Sequence, residues 1–152
     1  MKTIWLYLLC LVSLSSLGSV ACKKEAKDIN PNGSSELALL MRSMHEDGLA
    51  AKAKFLQGET PQLHMECEKM HTAQATDPGK VANPLYTGYA NALKDKVNAF
   101  DQPYSGDKVA AYQSMVDACM NCHREICPGP MSKIKKLYLS DKEIASITVK
   151  QP

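Results

Sequence analysis

An all-α fold is what this 152-residue sequence predicts, and three observations carry the prediction. Apolar residues recur at three- and four-residue spacing in four stretches between Ser34 and Tyr138, the period that gathers them on one face of a helix. Glycine and proline, which stop helices and start turns, separate the stretches. No strand-like alternation of apolar and polar positions interrupts them.

The first helix is expected to begin at Ser34 or Ser35, whose hydroxyls suit the orphan amides of a first turn, and to end at Gly58. Its inward stripe reads Leu37, Met41, Met44, Gly48, Ala51 and Phe55. The small residues Gly48 and Ala51 either let another helix approach closely or leave room for a flat, bulky group. Thr60 and Pro61, a cap followed by proline, open a second helix expected to run to Thr76 with Leu63, Cys67 and Met70 inward. A third, from Asn83 to Phe100, places Leu85, Tyr86, Tyr89, Leu93, Val97 and Phe100 on one face. The fourth starts between Ser105 and Asp107, turns Val109, Tyr112, Val116, Cys119, His123 and Ile126 inward, and stops at Cys127-Pro128-Gly129-Pro130. Met131 to Leu139 is then a short amphipathic or extended piece packing back through Ile134, Leu137 and Tyr138. Residues 141–152 are expected to be a tail that frays from Thr148 onward.

Residues 1–21 have the form of an export signal: Lys2, an apolar run from Ile4 to Val12, and the small residues Ser19-Val20-Ala21. The run is too short and too broken by serines to span a bilayer. Cleavage leaves Cys22 first, followed by a polar tether through Gly33, so residues 22–33 precede a helical domain at 34–140. The arrangement resembles a bacterial lipoprotein, which implies a lipid on Cys22 and a periplasmic, membrane-anchored location; plain signal cleavage after Ser-Val-Ala is the other reading. Losing Lys2 leaves 17 basic and 16 acidic residues. That balance gives no electrostatic footing for nucleic acid. A domain of this length has a small core and gains from a large apolar cofactor inside it.

Cys119-Met120-Asn121-Cys122-His123 is a C-x-x-C-H run, the attachment signature of c-type haem. Two thiols add across the haem vinyl groups as thioethers, and the adjacent imidazole binds iron. One covalent haem c on Cys119 and Cys122, with His123 axial, is therefore expected. A zinc site would want a second C-x-x-C or C-x-x-H pair and a redox dithiol a βαβ surround, and the sequence offers neither. Cys119 and His123 stand four apart, so one helix presents both on its inward side.

Of the other cysteines, Cys10 is expected to leave with the signal, and Cys22 is the lipid site that the lipoprotein resemblance implies. Cys67 and Cys127 remain, and in an oxidising compartment the simplest expectation is a disulfide between them. Free thiols, or a soft-metal site from His64, Cys67 and His71, are the alternatives. His45 is turned about 100° from Met44 on a helix and is expected at the edge of the core. No acid–base pair marks the chain as an enzyme.

Four helices with C-x-x-C-H near the end of the last resemble the class II cytochromes c, the family of cytochrome c′ and its low-spin relatives. In the first helix Met41-Arg42-Ser43-Met44 and Phe55-Leu56-Gln57-Gly58-Glu59 add to the resemblance, which spans most of Ser34 to Ile126. It implies an antiparallel four-helix bundle with haem covalently attached near the end of the fourth helix. It also implies a sixth iron ligand on the first helix, where Met41 is the best match and Met44, a turn later, the second choice. Low-spin methionine–histidine ligation implies electron transfer rather than catalysis, exchanged with redox partner proteins of a respiratory or periplasmic chain at a membrane surface. Five-coordinate members imply gas binding, of nitric oxide or carbon monoxide. Those members usually carry a basic residue four places after the haem histidine, where this chain has Cys127; Arg124 follows His123 directly. Pairing of two bundles into a homodimer is left open by the resemblance.

Overall fold

The computed structural model describes residues 33–103 and 106–150, with side chains through position 147. The regular structure among these residues is entirely helical, with no strand. The export signal, Cys22 and the tether lie outside the described residues except for Gly33, whose carbonyl accepts a hydrogen bond from the Arg42 guanidinium at 3.0 Å.

Helix α1 is Glu36–Gln57. Ser35 caps it by accepting from the Ala38 amide at 3.3 Å, and Gly58, at φ 85°, closes it in the left-handed conformation that glycine adopts without strain. Its buried face is Leu40, Met44, Gly48, Ala51 and Phe55. Leu40 thus takes the place expected of Leu37, which is half-buried.

The helix expected from Thr60 to Thr76 does not form. Residues 61–66 form no regular secondary structure, and Cys67–His71 make a 3₁₀ turn. Pro61 has no amide to donate, the Leu63 amide donates to the Asp101 carboxylate at 3.1 Å, and the His64 amide donates to Asp47 at 2.6 Å. Carboxylates on two other helices thereby hold these two amides in the non-helical path. Pro61 and Leu63 are buried and Met65 half-buried, while Gln62, His64 and Glu66 are exposed. That two-residue alternation overturns the expectation that none interrupts the helical stretches, and its period is not a helical one.

Helix α2, Pro78–Val81, is a single turn capped by Asp77. Helix α3 is Tyr86–Asp101, with Tyr86, Ala90, Leu93, Val97 and Phe100 buried. Leu85, expected inward, is the residue before the helix and is 56% exposed. Helix α4 is Lys108–Glu125, started by Asp107, whose carboxylate accepts from the Val109 and Ala110 amides at 2.9 and 3.1 Å. Helix α5, Met131–Ile134, runs into a 3₁₀ turn at Lys135–Leu137.

The segment expected to be a tail is helix α6, Asp141–Lys150. Ser140 and Glu143 start it reciprocally: the Ser140 amide donates to the Glu143 carboxylate at 2.8 Å and the Glu143 amide to the Ser140 hydroxyl at 3.3 Å. Glu143 also pairs with Lys52 of α1 at 3.2 Å, and Ile147 is buried.

Helix α3 packs against α4 and the 67–71 turn, and α1 against α6 and both 3₁₀ turns. The rings of Phe55, Phe100 and Tyr112 join α1, α3 and α4 edge to face, with centroids 5.5 to 6.4 Å apart. A side chain at Gly48 would meet Leu137 at 3.2 Å, so this glycine lets the 135–137 turn rest on α1. Of the described helices, none is long and apolar enough to cross a membrane.

Candidate functional site

A narrow apolar cleft, with about 40 Å³ of cavity volume, lies between the helices. Met41, Met44 and His45 of α1 line it together with Cys119, Cys122 and His123 of α4. Met65, Met70, Tyr89, Leu93, Ile134 and Leu137 complete the walls. The C-x-x-C-H residues and both methionines expected on the first helix are therefore brought to one space. Met44 is buried and Met41 half-buried.

His123 sits in the last turn of α4, half-buried. Its Nδ1–H donates to the Cys127 carbonyl at 2.9 Å, a contact made because the chain leaves the helix there. The lone pair is then on Nε2, which has no hydrogen-bond partner among the described residues. Burial holds the imidazole pKa below its ordinary value, the Cys127 carbonyl opposes this, and the positive charge of Lys80 adds to it. A neutral ring with its second nitrogen hydrogen-bonded to a carbonyl is the form in which histidine binds a metal.

The thiols are held neutral as well. Burial pushes Cys119 up to about 12 and Cys122 up to about 11. Cys119 Sγ lies 3.9 Å from the Met115 sulfur, one turn earlier on the same helix. Thiolate ligation would have to overcome that desolvation, whereas a thioether carries no charge to bury.

Cys67 and Cys127 are free thiols, and the disulfide expected between them is not formed. Cys67, carried by a 3₁₀ turn packed on α3 instead of by a helix, is buried within electrostatic reach of Cys119. Cys127 lies by Cys122 and accepts a hydrogen bond from the Lys80 ammonium at 3.7 Å. Nor do His64, Cys67 and His71 gather: the two histidines are exposed, and no group of three or more His, Cys, Asp or Glu residues among those described is set to hold a metal.

His45, expected at the edge, lines the cleft, because residues 131–137 fold against α1 and turn that edge into a wall. Its Nε2–H donates to the Lys133 carbonyl at 3.2 Å. Met65 is the cleft residue that helical periodicity missed, and the alternation of Pro61, Leu63 and Met65 was its signal. The Tyr86 hydroxyl donates to the Met70 carbonyl at 2.9 Å and fixes the turn beside it.

Chemically the cleft offers two neutral thiols and an imidazole from one helix, thioether donors from another, and an apolar lining. No known family model, curated protein or solved structure matches the chain.

Proposed function

We propose that this chain is a monohaem c-type cytochrome similar to the class II cytochromes c, transferring electrons at a periplasm-facing membrane surface. One observation carries the reading: Cys119, Cys122 and His123 line the same apolar cleft as Met41 and Met44. Haem bound there supplies a one-electron couple at iron. The chain's own residues hold and insulate it. Cys119 and Cys122 attach it near the end of α4, and His123 gives iron its Nε2 while Cys127 keeps the proton on Nδ1. Met41, with Met44 as second choice, would hold the haem from α1, and a thioether donor would raise its reduction potential. The reading keeps the first and last helices of the family's antiparallel four-helix bundle and drops its second, since residues 61–66 are not helical. A lipid on Cys22 would hold the domain beside redox partners in the same membrane.

The optical spectrum of the haem-loaded protein in both oxidation states tests this. Electron transfer predicts low-spin iron with the long-wavelength iron–methionine charge-transfer band in the ferric form. A high-spin spectrum with ready carbon monoxide binding in the ferrous form would replace it with the gas-binding reading.

A further inference from the structure

We infer that Lys80 is a charge that sets the reduction potential of the site from the His123 side, an inference that rests on the function proposed above. Lys80 is half-buried on the single turn α2. Its ammonium donates to Cys127 Sγ at 3.7 Å, and the carbonyl of that same Cys127 accepts from His123 Nδ1 at 2.9 Å. One residue therefore separates the ammonium from the imidazole that would bind iron. No carboxylate forms an ion pair with Lys80 among the described residues, whose pairs are Lys52–Glu143, Lys69–Glu66 and Lys94–Glu68. Asp77, three positions earlier, is engaged with the Gly79 amide at 3.0 Å. The backbone around Lys80 is fixed by hydrogen bonds from the Lys80 amide to the Asp77 carbonyl and from the Ala82 amide to the Pro78 carbonyl, at 3.2 and 3.0 Å.

A half-buried cation without a carboxylate stands at a cost in hydration, and its field extends to what lies beside it. Reduction adds one electron, delivered by a one-electron donor protein, and lowers the positive charge at iron by one without moving a proton. A fixed cation nearby repels the oxidised form more than the reduced one. Lys80 thereby favours the ferrous state and raises the potential, from a part of the chain that neither ligates iron nor lines the cleft.

The experiment is a spectroelectrochemical titration of haem-loaded wild type, Lys80→Met, Lys80→Gln and Lys80→Arg. Both neutral variants should show a lower midpoint, by roughly tenfold in the reduction equilibrium constant or about 59 mV for one electron. Lys80→Arg should stay near the wild type, and all four absorption spectra should match because ligation is untouched. Neutral variants with haem attached and an unchanged or raised midpoint would overturn the inference, even if their thermal stability fell, since that marks a merely structural lysine. Failure of the wild type to carry covalent haem would instead remove the proposed function, and this inference with it.

Discussion

His123 Nδ1 donates to the carbonyl oxygen of Cys127 at 2.9 Å, so a residue two places beyond the end of α4 fixes the tautomer of the proposed iron ligand. The contact is made by the backbone of Cys127. Cys127→Ala should accordingly leave haem attachment and the low-spin spectrum as they are, which absorption spectroscopy of the purified variant checks. A high-spin spectrum in that variant would mean that the thiol itself is needed.

Met41→Ala should convert the spectrum to high-spin while the haem stays attached, because it removes one axial donor and no covalent link. Met44 lines the same cleft and is the more deeply buried of the two. A switch in Met44→Ala but not in Met41→Ala would move the ligand one helical turn along α1.

The core makes its own prediction. Tyr112 places its hydroxyl 2.9 Å from the Gly48 carbonyl and 3.0 Å from the Leu137 carbonyl, joining α4 to α1 and to the 135–137 turn. Tyr112→Phe leaves both carbonyls without that donor and should cost about 1–3 kcal/mol. Phe55→Ala opens the three-ring cluster and should cost about 3–5 kcal/mol. Denaturant unfolding of the variants measures both.

Much of this was legible in the sequence, for physical reasons that show where legibility stops. Ser35, Gly58 and Asp107 bound α1 and α4 within a residue or two of where capping chemistry predicts. The C-x-x-C-H run and the methionines meet in one cleft because three-four spacing puts each set on the inward face of its helix. Residues 60–76 failed the same reasoning: the Leu63 and His64 amides are taken by Asp101 and Asp47, distant in sequence, and no local pattern encodes such partners. The expectation for Cys67 rested on that helix; Cys67 is instead a buried free thiol on the 3₁₀ turn. Helix α6 was readable, since Ser140-Asp141-Lys142-Glu143 is a capping box, but a position near the chain end favoured reading it as a tail.

Alkaline pH should weaken the fold through Cys67. Burial raises its pKa from 9.0 to about 11, so the folded chain keeps the proton while the unfolded chain loses it above pH 9. The unfolded state then binds fewer protons, and stability falls between pH 9 and about 11, by about 2–3 kcal/mol in full. Cys67→Ala, though less stable at neutral pH from the lost side chain, should show a shallower decline across that window. Chemical unfolding at pH 8, 9, 10 and 11 compares the two slopes, and parallel slopes would assign the alkaline loss to other groups.

Intact-mass spectrometry of the chain produced with a c-type haem maturation system tests the central claim most directly. The proposed attachment predicts a mass increased by one haem that survives denaturation, localised by proteolysis to the peptide containing Cys119 and Cys122, and absent when both are changed to Ala. A wild-type chain at its bare polypeptide mass, or a haem adduct that persists in the double variant, would contradict it.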